Sequence, residues 1–504
     1  MQQLSSGNIS RIAIVGGGTA GWMSAAALSQ VLPREHYSIL LIESQEIGTV
    51  GVGEATIPPI ATFNRLLGID TKELLRETKG TMKLGIEFVN WANQGDSYYH
   101  PFGTYGPDSH NVPFHQLWRY AYSQGLAGRL ENYSLNAQMA ISKKFLEPQN
   151  IPNSPLASIN SAFHFDASLY AQYLRKYSEQ RGVRRVEAKI TSASVDENSG
   201  NISKLHLDGH ADIHADFFID CSGFRGLLIE QTLKTGYEDW SKYLPCNSAK
   251  ALPTERQPQI SSHTQAIAHG FGWQWRIPLQ HRTGTGIVYS NAFCTDDLAE
   301  ETLLNNIDTK ALGEPRQLRF TAGKRKKIWN KNCLSLGLAS GFLEPLESTS
   351  IHLVQSALSK FISVLPHFDK FDAEMERFNY LVDREIEAIR DFIILHYKAT
   401  NREDTEFWRY CKSMEIPDSL RQKIDLYKSS GQLYREGNEL FSENSWLSVM
   451  EGQGIFPEKQ SPFCKAISLR DAEATLKQVE DVVANCVKTM PNHNDYIKTA
   501  LSAN

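Results

Sequence analysis

Three glycines at a fixed spacing, with an acid further along, are the first residues of this 504-residue chain whose pattern specifies a chemistry. Gly16-x-Gly18-x-x-Gly21 follows the β-branched run RIAIV (11–15) and opens an alanine-rich stretch; Glu43 ends the next apolar run, YSILLIES (37–44). In such a βαβ unit the first glycine turns the chain, the second admits a pyrophosphate against the backbone, and the third lets helix and strand pack closely. The helix N-terminus holds phosphates, and the acid takes a ribose hydroxyl. The plain alternative is a glycine-rich turn made for packing alone.

Four further stretches carry candidate chemistry. TMKLGIEFVNW (81–91) alternates as one strand: Met82, Leu84, Ile86 and Phe88 on one face, Lys83, Gly85, Glu87, Val89 and Trp91 on the other. Gly85 would leave space beside the Lys83 amine; a solvated lysine at a sheet edge is the simpler reading. In YYHPFG (98–103), His100 and Phe102 flank a proline and can present two flat side chains to one pocket, or pack as an aromatic turn. GFGWQWRIP (270–278) places Trp273 and Trp275 on one face of a strand, more aromatic bulk than packing alone requires. FLEPLESTSIH (342–352) is a turn before a helix starting near Ser348–Ser350, whose first amides are free to hold an anion.

The elements that must position these residues follow from periodicity. IGTVGVGEATIPPI (47–60) holds too many glycines and prolines for a long regular element and leaves backbone free to lie beside a flat ring. A helix begins after an aspartate cap at Asp166, a hairpin spans 186–209 around ENSGN, and ADFFID (215–220) is a buried strand ending in a glycine turn. From about 353 onward the chain is mostly helical, with one long amphipathic stretch from Phe371 to Tyr397. The fold class is α/β.

Bulk properties narrow the partners. A net charge of −5 argues against nucleic acid and anionic membrane, both of which want a basic face. The basic run GKRKKIWNKN (323–332) reads as a solvated turn or strand end. Seven scattered cysteines without a C-x-x-C pair suggest no metal site and a reducing, cytoplasmic setting. No apolar run is long enough to span a membrane, and the start lacks a signal peptide's features.

Taken in order, the glycine fingerprint, VGVGEATIPPI, MKLGIEFVNW, YYHPFG, GWQWRIP and FLEPLESTSIH resemble the flavin-dependent tryptophan halogenase family, from about residue 10 to about residue 455. The resemblance implies a Rossmann-like FAD-binding module of the flavin monooxygenase type over 1–352, including the substrate-facing sheet, and a helical substrate-covering module over 353–504. It implies a two-component enzyme. A separate flavin reductase supplies FADH2, O2 converts it to a hydroperoxide, and halide (chloride or bromide) attacks to give hypohalous acid. The acid passes through a tunnel to Lys83, which hydrogen-bonds it or forms a haloamine, and a small aromatic substrate is halogenated.

By motif register Glu347, not Glu344, matches the glutamate that positions the halogenating species or takes the ring proton. Thr349 and Ser350 match the halide-binding positions, the second being usually glycine. Trp273 and Trp275 match the residues that keep substrate away from the flavin. The flavin contacts carried over are Gly16, Gly18, Thr19, Ala20, Gly21, Glu43, Gly53, Glu54, Ala55, Ile190, Leu338 and Ile351. His100 and Phe102 match a pair that sandwiches an indole, and Phe441 falls near a third substrate position. REGNELFSENSWLSVMEGQG (435–454) lacks the adjacent tyrosines that clamp free tryptophan, so the expected substrate is another indole, a phenol or a larger indole-bearing molecule; SENS also reads as a helix cap. A homodimer is the expected assembly. The alternative on the same scaffold is a flavin-dependent aromatic monooxygenase.

Overall fold

The RIAIV run forms a strand, Ser10–Val15, inside a six-stranded sheet ordered Trp329–Asn330, Cys333–Ser335, Phe217–Asp220, Ser10–Val15, Tyr37–Glu43, Arg184–Glu187. A computed structural model describes residues 10–44, 46, 53–109, 111–365 and 371–502. All neighbours in this sheet are parallel except the first pair. Both faces are covered, which is why its strands are apolar runs rather than alternating ones. Ile12, Ile14, Ile39 and Leu41 face the main core with the helices Thr19–Val31 and Ser350–Ser363. Ala13, Val15, Leu40 and Ile42 face a second core under the hairpin Ile190–Val195/Ile202–Leu207, the hairpin expected from ENSGN.

The register pairs Val15 with both Asp220 and Ile42, so three strands end at one level. Ligands of open parallel sheets bind at such carboxyl ends. Gly16 takes φ +110° there, and a Cβ on it would lie 2.3 Å from the Cys221 carbonyl oxygen. A Cβ on Gly21 would lie 1.8 Å from the Gly16 carbonyl oxygen. Gly16 and Gly21 of the fingerprint are therefore required by backbone packing here.

The second large sheet has seven strands, ordered Arg316–Arg319, Ser248–Glu255, Arg282–Tyr289, Gly272–Pro278, Thr264–His269, Gly85–Val89, Ser97–Pro101. TMKLGIEFVNW is not one strand. Thr81–Lys83 pairs with Ala162–Asp166 in a separate three-stranded sheet, and Gly85–Val89 enters the seven-stranded one. The chain crosses between them at Leu84, whose N–H donates to the Ser262 carbonyl. Two long-range pairings override a local alternation that was correct in period but silent on the partner.

Gly85 does not open space beside the Lys83 amine. Its missing side chain lets the neighbouring strand close: a Cβ would lie 2.5 Å from the His100 carbonyl oxygen. Lys83 itself is wholly buried rather than solvated. The basic run is also half corrected. Lys324 is buried against Asp383 (2.7 Å) and Glu238 (3.3 Å), and Arg325 against Glu230 (2.8 Å), while Lys326 and Lys327 are exposed.

The Asp166 carboxylate caps Ala167–Gln180 by accepting from the Ser168 and Leu169 amides. Ser442 stands at the cap position of Glu443–Gly452 without a side-chain cap bond. The long helix Asp372–Lys398 turns Phe392, His396 and Tyr397 into the core. Among the described residues no helix is long and apolar enough to cross a membrane, and the seven cysteines are unpaired.

Replacing Gly85 by alanine forces the His100 strand away. Gly85→Ala is expected to cost about 1–3 kcal/mol, the usual penalty of overpacking, measured by denaturant unfolding; an unchanged midpoint would contradict the close approach.

Candidate active site

At the carboxyl ends of the parallel strands lies a cavity of about 850 Å³. Gly16, Gly18, Thr19 and Ala20 line one end, where Gly18 begins the Thr19–Val31 helix with no side chain capping the first amides. Uncapped amides at a helix start suit phosphate. Glu43 stands beside them, against Gly17, where a Cβ would fall 1.4 Å from its carboxylate. It accepts from Trp22 Nε1 at 3.3 Å and is ion-paired with Arg185. Glu54, Ala55, Ile190, Leu338 and Ile351 line the same cavity. Burial pushes the Glu54 carboxyl up to about 7. Gly21 packs behind the wall, and Gly53 starts the strand Gly53–Ala55; residues 47–52 of the glycine-rich loop lie outside the described residues. A long cavity with free amides at one end and apolar walls along its length fits a flavin dinucleotide.

Trp273 and Trp275 project from Gly272–Pro278 into the cavity wall, ring centroids 6.2 Å apart. Trp275 lies over Gly286, where any Cβ would strike its ring at 2.2 Å. Trp273 is fixed by its indole N–H, which donates to Glu344 Oε2 at 2.9 Å. The Tyr397 hydroxyl donates to the same oxygen. Burial pushes the Glu344 carboxyl up to about 7 against those two hydrogen bonds.

Lys83, Glu347, His100, Phe102 and Phe441 do not line this cavity; they gather on its far side. The two groups meet at Ser348. It borders the cavity, and its hydroxyl accepts from Lys83 Nζ at 2.7 Å. Ser348 has φ +58°, a strained conformation for a non-glycine residue that recurs at functional turns. Thr349 caps Ser350–Ser363 with no side-chain bond to the helix amides, and its buried hydroxyl has no hydrogen-bond partner among the described residues. Ser350 faces the cavity.

Lys83 and Glu347 have no exposed surface. Burial lowers the Lys83 amine to about 7, with the Glu347 charge opposing the shift. Burial alone would raise the Glu347 carboxyl, but the His100 and His396 imidazoles outweigh it and hold the group at about 2. His100 Nδ1 lies 2.9 Å from Oε2 and 3.1 Å from Oε1. His396 Nε2 lies 2.8 Å from Oε1. Phe102 sits with its ring centroid 5.1 Å from Lys83 Nζ. Phe441 stacks on Phe392 at 3.8 Å, with His100 6.1 Å away.

His396, Ser348 and Phe392 are the members of this cluster that sequence reasoning did not single out. A histidine within the apolar run FIILHY was the signal available for the first.

Comparison with known proteins accords with this geometry. The family model described as tryptophan halogenase matches residues 11–468. The chain is 32% identical to the tryptophan 7-halogenase of Lentzea aerocolonigenes, over 98% of this chain and 99% of that protein. Among solved structures it is similar to a flavin-dependent halogenase from Xanthomonas campestris, at 45% identity and a TM-score of 0.94 over 98% of this chain and 99% of that one. It is similar to another from Brevundimonas sp. BAL3, at 40% identity and a TM-score of 0.94 over 98% and 99%. The chain belongs to the tryptophan halogenase family and is an enzyme, a flavin-dependent halogenase.

The buried lysine has a consequence for stability. Its folded value lies below its ordinary 10.5, so the unfolded chain binds the extra proton between about 7 and 10.5. Stability therefore rises with pH across that window, and the cost of burying Lys83 is full below it. Lys83→Met is expected to stabilise the protein by an amount on the order of a few kcal/mol at pH 7, the gain vanishing towards pH 10.5. Thermal unfolding across pH measures it; a gain that does not change with pH would contradict a depressed amine.

Proposed function

We propose that this enzyme carries out electrophilic halogenation of an indole or another electron-rich aromatic ring, using hypohalous acid generated on the flavin side and consumed at Lys83. The observation that carries this reading is the division of the site. A cavity suited to FAD stops at Trp273, Trp275 and Ser348, and a fully buried lysine–glutamate pair lies just beyond. When bound and reduced by a separate flavin reductase, FAD supplies the oxidising chemistry that converts halide and O2 to hypohalous acid.

The chain's own residues do the rest. Gly16, Gly18, Thr19 and Ala20 would hold the pyrophosphate on the helix amides, and Glu43 the ribose. The amides at Thr349 and Ser350, with the unpartnered Thr349 hydroxyl, would hold halide at a helix start. A serine at 350 adds a side chain to the cavity wall and so bears on which halide fits. Trp273 and Trp275 fill the wall with rigid bulk that a planar substrate cannot cross and a small neutral acid can.

The Ser348 hydroxyl connects that wall to Lys83. An amine lowered to about 7 offers both an ammonium, which hydrogen-bonds and polarises hypohalous acid, and a free amine, which can be halogenated at nitrogen. Glu347, kept ionised, is placed to orient that species or take the proton the ring releases. His100 and Phe102 would lie against the substrate ring, with Phe441, seated on Phe392 beside His100, as a further contact. We place this chain in a homodimer as well.

The deciding assay mixes enzyme, FAD, flavin reductase, NADH and O2 with indole and with tryptophan, in chloride and in bromide, and reads products by mass spectrometry. A halogen isotope pattern on indole is expected. Oxygen insertion without halogen would instead make the enzyme a monooxygenase. Lys83→Ala is expected to abolish halogenation by a factor of about 10² or more, with FAD binding and hypohalous acid release intact; wild-type product yield would remove the lysine from the mechanism. Glu347→Gln is expected to lower halogenation far more than FAD affinity, and an equal loss of both would place Glu347 in flavin binding instead.

A further inference from the structure

We propose that Trp273, Trp91 and Tyr397 form an electron-transfer chain that draws an oxidising hole off the flavin wall, with the Glu344 carboxylate as the proton acceptor shared by its two ends. The proposal rests on the reading of the cavity as a flavin site. On that reading reduced flavin comes from a separate protein, and each turnover leaves oxidised flavin in the cavity. In blue light oxidised flavin is a strong one-electron oxidant, and Trp273 stands in the cavity wall. Tryptophan and tyrosine give up one electron far more readily than phenylalanine, and electrons pass between such rings when they touch. The Trp91 ring centroid lies 6.5 Å from that of Trp273 and 5.4 Å from that of Tyr397. All three rings are buried, so water does not intercept the charge.

The partners of each ring decide where the hole comes to rest. An indole or phenol that loses an electron becomes strongly acidic, and the hole is trapped where a base takes the proton. Trp91 Nε1 donates to the Ala266 carbonyl at 2.9 Å, and Trp408 Nε1 to the His269 carbonyl at 2.7 Å. A carbonyl is too weak a base to take that proton, so Trp91 passes the charge on. Trp408, 5.6 Å from Trp91, is disfavoured: the Arg402 guanidinium lies over its ring at 4.6 Å and opposes a second positive charge there. Tyr397 differs. Its hydroxyl donates to Glu344 Oε2, the oxygen that also accepts from Trp273 Nε1 at 2.9 Å. Glu344 Oε1 has no hydrogen-bond partner among the described residues. Burial puts this carboxyl at about 7, above which it is an anion able to take a proton. The Cys246 and Cys411 thiols near it, and the Tyr397 phenol itself, are kept protonated by burial.

Electrons and protons balance along this route. Trp273 gives one electron to the excited flavin and its Nε1 proton to Glu344. Tyr397 then gives one electron, by way of Trp91, to Trp273. The Tyr397 hydroxyl proton goes to Glu344 as Glu344 returns the first proton to Trp273 Nε1. The wall indole is restored, and the hole rests on Tyr397 as a neutral oxygen radical beside a protonated carboxyl. One oxygen serves both proton transfers. In the dark the electron returns from the flavin and the proton from Glu344, and nothing is consumed. The chain thus spares the ring that fills the wall.

A blue flash on the full chain loaded with oxidised FAD, followed by transient absorption at a pH where Glu344 is an anion, tests the chain. Gel filtration first shows whether FAD stays bound; flavin lost there overturns the cofactor reading and this proposal with it. With FAD bound, the expected signal is a tyrosyl radical that decays together with the one-electron-reduced flavin, and its absence overturns the chain alone. Trp91→Phe should abolish the tyrosyl signal and leave oxidised Trp273; a tyrosyl signal that survives overturns the route. Should Trp91→Phe fail to fold, Tyr397→Phe replaces it, with the same loss expected and the same survival decisive. Glu344→Gln keeps an oxygen that accepts both hydrogen bonds but loses the carboxylate that takes a proton. The tyrosyl signal should be lost in it while the Trp273 signal stays, and an undiminished tyrosyl signal overturns the shared acceptor. Peptide mapping after prolonged illumination is the second readout. Oxidation of Trp273 should rise in Tyr397→Phe, and equal damage in wild type and variant overturns the sparing of the wall.

Discussion

A lysine and a glutamate without exposed surface set the terms for everything around them. Burying one charge costs several kcal/mol even after relaxation, and the cost falls only if each charge is met by partners. The two are met differently. Glu347 is flanked by two imidazoles, while Lys83 has one neutral hydroxyl and the face of a phenyl ring. The carboxylate is over-supplied and the amine under-supplied. Burial therefore lowers the amine to about 7, while the imidazoles hold the carboxyl at about 2 against burial.

Such a pair can be built only where several elements converge, and this fold brings them together by switching sheets. Lys83 ends a strand of one sheet, His100 lies in another, Glu347 sits in a turn after the parallel sheet, and His396 comes from the last turn of the helix Asp372–Lys398. Gly85 lets the first two strands meet without a side chain between them. The FAD-sized cavity is built from a different set, the carboxyl ends of the parallel strands. Trp273 and Trp275 belong to the boundary, and Ser348 is shared by both sides.

What was legible in the sequence follows range of interaction. The glycine fingerprint reads well because its constraint is local: backbone approaches within and next to one turn. The hairpin near ENSGN and the cap at Asp166 read well for the same reason. Alternation over 81–91 gave the right extended conformation, but the switch at Leu84 depends on Ser262, far along the chain. The basic run looked solvated because Glu230, Glu238 and Asp383, which bury Lys324 and Arg325, lie on other elements. His396 was absorbed into a helical apolar pattern, since periodicity counts a histidine as tolerable on a buried face and says nothing about what it touches.

The two glutamates of LEPLEST show how much environment decides once sequence has placed them. They are three residues apart and both fully buried. Among the described residues Glu344 receives two neutral donors on one oxygen and none on the other, and burial wins: its carboxyl rises to about 7. Glu347 receives imidazoles on both oxygens, and the charge wins. The first holds Trp273 in the wall through a hydrogen bond that either protonation state can accept. The second stands as a permanent anion beside the lysine. A turn of one 3-10 helix, Pro345–Glu347, points the two carboxyls into different surroundings. It thereby gives one short motif both a carboxyl that burial raises and a carboxyl held as an anion.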